Sequence, residues 1–114
     1  MSSTEQIADR FHTALTSGDA AALTDLVADD VTFTGPLAQT SGSDETVKGL
    51  ADMGAVTTSD DVDVRLADDE NALIWATLKT RFSGPTPTAT WLTVADGKIT
   101  AIRTVFDARG AEGH

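Results

Sequence analysis

Residues 14–33 read ALTSGDAAALTDLVADDVTF, and this stretch decides how the N-terminal half of the chain folds. It holds the end of one helix pattern, a break at Ser17-Gly18, a second helix pattern and most of a short strand over 31–34. Asp19 stands where a side-chain oxygen caps the second helix, and Asp29-Asp30 ends that helix before the strand begins. The stretch therefore predicts a helix, a tight turn, a second helix and a strand in close succession.

Further elements are predicted on either side of this stretch. Phe11 and Leu15 share one face of the first helix, and Ser43 or Asp44 can cap a third helix. Asp96-Gly97 favours a two-residue hairpin. The predicted helices cover 4–16, 20–27 and 45–53, and the predicted strands cover 31–34, 62–67, 72–82, 88–95 and 98–107. This order predicts an α+β class, with three N-terminal helices packed in the concave face of a curved, mostly antiparallel sheet.

The composition limits the class of protein. The 114 residues allow about one domain, with an ordered core over residues 4–109 and a flexible tail over 110–114. The chain has no cysteine, which excludes thiol nucleophiles and cysteine metal sites and favours a cytoplasmic location. A formal charge of −10 repels phosphate backbones and anionic lipid, so nucleic acid and membrane surfaces are poor partners.

Three local signatures, in this order and spacing, resemble the nuclear transport factor 2-like superfamily, and in particular its SnoaL-like and ketosteroid isomerase-like members. The first is residues 14–19 with residues 26–33, the second is Asp96-Gly97-Lys98-Ile99, and the third is Arg103-Thr104-Val105-Phe106-Asp107. The resemblance spans nearly the whole chain and implies a cystatin-like, cone-shaped barrel with a pocket at its open end. Relatives include isomerases, polyketide cyclases, epoxide hydrolases, ligand binders and dimerisation modules, so the fold alone does not fix an activity.

The resemblance also implies positions for catalytic groups, and this sequence lacks those groups. A ketosteroid isomerase has a tyrosine in its first helix, where Phe11 stands, and a base aspartate before the proline, where Gly35 stands. Its second oxyanion donor corresponds to Thr90, and the last-strand aspartate of the epoxide hydrolases corresponds to Thr104. The acidic residue of the SnoaL-like cyclases has no clear equivalent. Because enolisation needs a base and donors aimed at the oxygen, these three activities are disfavoured.

Strand alternation, anchored on the resemblance, predicts a concave face that is apolar with several hydroxyls. Such a lining suits a neutral, largely hydrophobic molecule held by a few hydrogen bonds. A filled core with satisfied threonines is the alternative. The predicted ligand-binding residues are Phe11, Leu15, Leu37, Leu78, Thr80, Thr90, Ile102, Thr104 and Phe106.

The opposite faces of the strands carry two tryptophans on surface that is otherwise exposed. Trp75, Trp91 and Arg103 are residue types that anchor interfaces, and Arg103 can stack on an indole. These residues predict a homodimer, and the alternative is a monomer whose tryptophans are covered by loops. Asp107 is expected to form a structural ion pair with Arg103.

Few ionisable residues are candidates for chemistry. His12 lies on the first helix, either as an acid or base in the pocket or as a hydrogen-bonded structural histidine. The pairs Asp29-Asp30, Asp60-Asp61 and Asp68-Asp69 are interpreted as solvated turns, because adjacent side chains point apart. No metal or cofactor is expected, since no second ordered histidine or convergent carboxylate cluster accompanies His12.

The sequence therefore favours binding of a small, mostly apolar molecule without conventional acid–base catalysis. The first alternative is an enzyme of the polyketide cyclase or isomerase type, using His12 or an unrecognised carboxylate such as Asp52. The second alternative is a dimerisation module with a filled core and no ligand.

Overall fold

A computed structural model describes residues 3–36, 38–81 and 84–106 of the chain. The helices of this part are α1 (Ser3–Ser17), α2 (Ala20–Leu26) and α3 (Ser43–Val56). Its strands are β1 (Val27–Thr34), β2 (Gln39–Ser41), β3 (Thr57–Ala67), β4 (Asn71–Thr80), β5 (Thr86–Ala95) and β6 (Lys98–Phe106). Leu37, Asp107 and the predicted tail over 110–114 lie outside the described residues.

The strands form a single curved, open sheet in the order β2-β1-β6-β5-β4-β3. Neighbouring strands are antiparallel except β1 and β6, which run parallel. Strands β3 to β6 form a meander, and helices α1 and α3 pack against β1, β3 and β4. The predicted α+β cone, with three helices against a mostly antiparallel sheet, is confirmed.

The two N-terminal helices and their turn form as predicted. The carboxylate of Asp19 accepts a hydrogen bond of 3.1 Å from the Ala22 N–H and caps α2. Gly18 has φ of 66°, a left-handed conformation that glycine adopts without a steric penalty. Its N–H donates to the Leu15 carbonyl at 3.2 Å, and this closed turn brings α2 back against α1.

The segment after α2 differs from the prediction. Helix α2 ends at Leu26 and β1 begins at once with Val27, so Asp29-Asp30 lies within a strand and is not a turn. Strand β1 pairs with β6 on one side and with the unpredicted strand β2 on the other. The added first part of the strand is joined to the sheet through Val27, which pairs with Ile99 of β6, because ladder hydrogen bonds satisfy backbone groups that a loop would leave to water.

Helix α3 begins and ends outside its predicted limits. Its N-cap is Gly42, which makes no side-chain capping bond, so neither Ser43 nor Asp44 caps it. Near its C-terminal end, α3 crosses the α1–α2 turn at very close range. A Cβ added at Gly54 would overlap the Leu15 carbonyl oxygen and lie 2.9 Å from Gly18 Cα. Only glycine therefore fits at position 54 without displacing the helix.

After residue 63, strand β3 presents to the helices the face opposite to the one predicted. In the sequence, Val62, Val64 and Leu66 alternate with Asp63, Arg65 and Ala67, which predicts a strand with the charged residues on its wet face. In the structure Val64 and Leu66 are 50% and 63% exposed, whereas Arg65 is partly buried in an ion pair with Asp9 of α1. A bulge between Val62 and Val64 is the physical reason, because one extra residue exchanges the two faces of a strand.

The two turns of the meander that the sequence identified are confirmed. Asp96 and Gly97 have φ of 53° and 78°, as a type I′ hairpin turn requires. In the β3–β4 turn, Asp68 Oδ1 accepts from the N–H groups of Glu70 and Asn71, both at 2.8 Å. These bonds favour the carboxylate and lower the pKa of Asp68.

The hydrophobic core lies between the helices and the concave face of the sheet. Burial of each large side chain there contributes roughly 1.5–3 kcal/mol of hydrophobic stabilisation. Its largest fully buried apolar members are Phe11, Leu23, Leu92, Ile99, Ile102 and Val31. Phe11 has a second role, since it also forms part of the wall of an internal cavity.

Candidate functional site

A cavity of about 160 Å³ lies between α1, α3 and the concave face of the sheet. Its wall is mostly carbon, with several threonine hydroxyls. Asp60 is the one ionisable residue of the lining in the part of the chain that the structure describes. The lining residues are Phe11, Leu15, Thr16, Phe33, Gly35, Pro36, Ala38, Thr40, Gly49, Leu50, Met53, Thr57, Asp60, Leu78, Thr88, Thr90, Thr104 and Phe106.

The structure brings most of the predicted ligand-binding residues to this cavity. Those on its wall are Phe11, Leu15, Leu78, Thr90, Thr104 and Phe106. Ile102 is 1% exposed and packs in the core, and Thr80 is not among the lining residues. The wall also includes residues that strand alternation did not identify, namely Gly49, Leu50 and Met53 of α3.

Four positions where the family resemblance implies catalytic groups meet at the same cavity. Phe11, Gly35, Thr90 and Thr104 all line it. The hydroxyls of Thr90 and Thr104 lie 3.3 Å apart on neighbouring strands and share one hydrogen bond. None of these four side chains can act as a base, so the cavity lacks a base at the positions that the resemblance implies.

His12 and Asp60 form an ion pair at the cavity wall. His12 Nε2 lies 3.2 Å from Asp60 Oδ2, in a contact that is an ion pair without the direction of a good hydrogen bond. The side chains are 24% and 9% exposed, respectively. The nearby Asp60 carboxylate raises the pKa of His12, whereas burial opposes the rise and Asp61 adds to it.

The position of Asp60 corrects the sequence analysis, which interpreted Asp60-Asp61 as a solvated turn. Asp60 lies in β3 directly opposite Leu78 of β4, and side chains opposite each other share a face of the sheet. Because Leu78 lines the cavity, Asp60 lines it too. The other suggested carboxylate, Asp52, is 71% exposed on α3, where it pairs with Lys48 at 3.4 Å.

One oxygen of Asp60 has no partner. Oδ1 is buried and, among the described residues, accepts no hydrogen bond, while Oδ2 faces His12. A buried carboxylate oxygen without a donor raises the free energy of the folded protein. The site therefore contains an acceptor that the described part of the protein leaves unsatisfied.

Most of the hydroxyl hydrogens on the wall are already used within the protein. Three hydroxyls donate to backbone carbonyls, those of Thr16 at 3.0 Å, Thr57 at 2.8 Å and Thr88 at 3.1 Å. The hydroxyls of Thr40 and Thr46 share one bond of 2.8 Å, as those of Thr90 and Thr104 share another. Each sharing pair retains a single free O–H. The wall therefore offers more acceptors than donors.

A second feature lies on the opposite side of the sheet. Large apolar side chains there are between 42% and 65% exposed, and the strand register places them on one face. We call this surface the outer apolar face; its residues are Val64, Leu66, Leu73, Trp75, Trp91 and Val105. Arg103 stacks on Trp91, with its guanidinium carbon 3.9 Å from the ring centroid, and the indole N–H donates to Asn71 at 2.9 Å.

Two other features are absent from the described ranges. They contain no group of three or more His, Asp or Glu side chains placed to hold a metal ion. They also contain no helix long and apolar enough to cross a membrane.

Comparison with solved structures shows the same fold in proteins of low sequence identity. A protein from Kribbella flavida superposes with a TM-score of 0.88 at 26% identity, over 95% of this chain and 89% of its own. An NTF2-like protein from Cytophaga hutchinsonii has a TM-score of 0.83 at 18% identity, over 98% and 96% of the two chains. An LEH-like epoxide hydrolase from M. tuberculosis has a TM-score of 0.79 at 20% identity, over 97% and 87%.

Comparison at the level of sequence gives the family. No curated protein matches the chain. The SnoaL-like domain, however, matches residues 8–102, which include the helices α2 and α3, most of α1, five complete strands and most of β6. From this match and the superposed structures, the chain belongs to the family of SnoaL-like domains.

Proposed function

We propose that the protein binds a small, mostly apolar molecule in the cavity between α1, α3 and the sheet. The observation that carries the proposal is the cavity itself. Its volume is about 160 Å³, and its wall is almost entirely apolar. An engineered apolar cavity of about 150 Å³ holds a benzene-sized molecule. A ligand built around one ring or a short branched chain therefore matches the space.

The residues proposed to contact this ligand come from both walls. Phe11 and Leu15 of α1 face the strands, which contribute Leu78, Thr90, Thr104 and Phe106. Phe11, Gly35, Thr90 and Thr104 replace the ionisable groups of the catalytic relatives, which supports binding without their chemistry. Leu37 stays a prediction of the sequence analysis, since it lies outside the described residues.

Native mass spectrometry of the purified protein tests this proposal. We expect a stoichiometric small-molecule adduct, or uptake of toluene when it is added. Gly49 lies on the exposed part of the cavity wall and has no atom within 4 Å of a Cβ added there, so Gly49→Leu should obstruct the cavity and reduce uptake. The control is Ala21→Leu, on the exposed side of α2. Uptake by both variants alike would contradict a site in the cavity.

A specific observation favours a second candidate, an enzyme of the polyketide cyclase or isomerase type. The buried Asp60 carboxylate beside His12 is an arrangement that can remove a proton from a bound molecule. Asp60 would be the catalytic base, and His12 would be a positioning residue that holds the carboxylate and stabilises its charge.

A general proton-abstraction probe tests the second candidate. In 5-nitro-1,2-benzisoxazole a base removes the ring C–H proton, the N–O bond breaks, and coloured 2-cyano-4-nitrophenolate is released. An enzyme with Asp60 as base should catalyse this reaction, Asp60→Asn should abolish it, and His12→Ala should change its pH–rate profile. A rate equal to that of the buffer, both with this compound and with the smaller unsubstituted 1,2-benzisoxazole, would contradict this candidate.

We also propose that the outer apolar face pairs with a second copy of the chain. Its exposed tryptophans, with Arg103 stacked on Trp91, are typical anchors of protein interfaces. Analytical ultracentrifugation across the micromolar range should show a dimer. Trp75→Ser should favour the monomer, and Lys79→Ser, on the same strand, should not. A native protein that sediments as a monomer throughout would contradict the proposal.

The proposed partners and location follow from charge and composition. The net charge of −10 opposes binding to nucleic acid, which supports a small molecule as the partner. A cytoplasmic location stays a prediction of the cysteine-free sequence, and cell fractionation tests it.

A further inference from the structure

We propose that the molecule bound in the cavity carries an uncharged hydroxyl group, whose hydrogen is accepted by Asp60. The ligand class is therefore small alcohols or phenols with an otherwise apolar body. This inference rests on the proposed function, because it specifies the polar end of the ligand for the same cavity.

The first argument is the unsatisfied oxygen. The side chain of Asp60 is 91% buried and lines the cavity. Its Oδ2 faces His12, whereas its Oδ1 has no partner among the described residues. Oδ1 itself is buried, so a donor that arrives with a ligand reaches it when the carboxylate turns toward the cavity that Asp60 lines. The hydrogen bond would then replace an uncompensated desolvation cost, so the protein favours a ligand that brings a donor.

The second argument is the shortage of donors elsewhere on the wall. The hydroxyls of Thr16, Thr57 and Thr88 donate to backbone carbonyls, which leaves them as acceptors toward a ligand. A ligand that carried only a carbonyl would meet few free hydrogens, chiefly the one that Thr90 and Thr104 retain. The polarity of the site is therefore that of an acceptor, and it selects a molecule that donates.

The third argument concerns charge. His12 lies 3.2 Å from Asp60 and, when protonated, compensates the charge of the carboxylate. An amine cation would compete with His12 for the same charge while losing its own hydration to an apolar wall. An uncharged hydroxyl has neither cost, because it needs one acceptor and no counter-ion.

Titrations of the ¹⁵N-labelled protein, followed in ¹H–¹⁵N correlation spectra, compare phenol with toluene, which replaces the hydroxyl by a methyl group. The measured quantity is the ratio of the two dissociation constants. Replacing Asp60 by leucine should lower the preference for phenol by about tenfold or more, as expected for a hydrogen bond to a charged group. Asp61→Leu, at the neighbouring exposed residue, should leave the ratio unchanged.

The outcomes separate the two proposals. If toluene binds and the ratio is the same in the native protein and in Asp60→Leu, the hydroxyl is not recognised and only the proposed apolar binding stands. If neither compound binds the native protein, both proposals are wrong. Tighter binding of benzylamine than of phenol would overturn the choice of an uncharged group. Should Asp60→Leu fail to fold, Asp60→Asn, which has the same size, gives the comparison.

Discussion

Replacing Gly54 by alanine tests how closely α3 packs on the turn between α1 and α2. The added Cβ would overlap the carbonyl oxygen of Leu15 and lie 2.9 Å from the Cα and N atoms of Gly18. All three are backbone atoms, so rotation of a side chain cannot relieve the contact. Overpacking of this kind costs about 3 kcal/mol, and the helix propensity of alanine returns about 1 kcal/mol. We expect the free energy of unfolding to fall by about 2 kcal/mol.

Gly49→Ala is the matched control, since it makes the same change in the same helix. No atom lies within 4 Å of a Cβ at position 49, so the gain in helix propensity should remain, at about 0.5–1 kcal/mol. Urea titration followed by circular dichroism measures both variants. In thermal unfolding, Gly54→Ala should lower Tm by about 8–10 °C, because about 1 kcal/mol corresponds to roughly 4–5 °C in a domain slightly longer than 100 residues. A Gly54→Ala protein as stable as the native one would refute the close approach of α3 to the turn.

Three further predictions concern stability. The Asp60 carboxylate raises the pKa of His12. The pair therefore stabilises the fold fully at pH values below the unfolded-state pKa of His12, about 6.5. This stabilisation is lost as pH rises through the folded-state pKa of His12. The urea concentration at the unfolding midpoint should therefore decrease as pH rises from about 6 to about 9 in the native protein, and His12→Asn should remove this decrease. The same dependence of the midpoint on pH in both proteins would contradict the ion pair. Leu92 is fully buried, and Leu92→Ala should reduce the free energy of unfolding by about 2–5 kcal/mol in urea titration; a loss below about 1 kcal/mol would contradict its place in the core. Asp19 caps α2 through the Ala22 N–H, so Asp19→Ala should cost about 1 kcal/mol, and Asp19→Asn should cost less.

The parts of the fold that sequence predicted well are those set by local chemistry. A capping carboxylate at Asp19, a left-handed Gly18 and the Asp96-Gly97 turn each act on their immediate neighbours, and each is found as predicted. The start of β1 was mispredicted because Val27 pairs with Ile99 of β6, a partner that is distant in sequence.

The candidate site was harder to predict for a physical reason. His12 and Asp60 are far apart in sequence, and their contact exists only because α1 packs over β3. In sequence, Asp60 is indistinguishable from aspartates that lie in true turns, such as Asp68. The run of threonine and serine over 57–59 was the available signal for a longer strand, since threonine favours β structure.

The bulge in β3 connects the two surfaces proposed here to function. Asp63 is the extra residue, because Val62 lies opposite Ala76 and Val64 lies opposite Trp75. On one side of the bulge, Asp60 shares a face with the cavity residues of β4; on the other side, Val64 shares a face with Trp75. A strand without the extra residue could keep only one of these placements, since alternation would put residues 60 and 64 on the same face. The buried carboxylate and the exposed apolar side chains of β3 therefore depend on the same irregularity, and a change that removes it would disturb both.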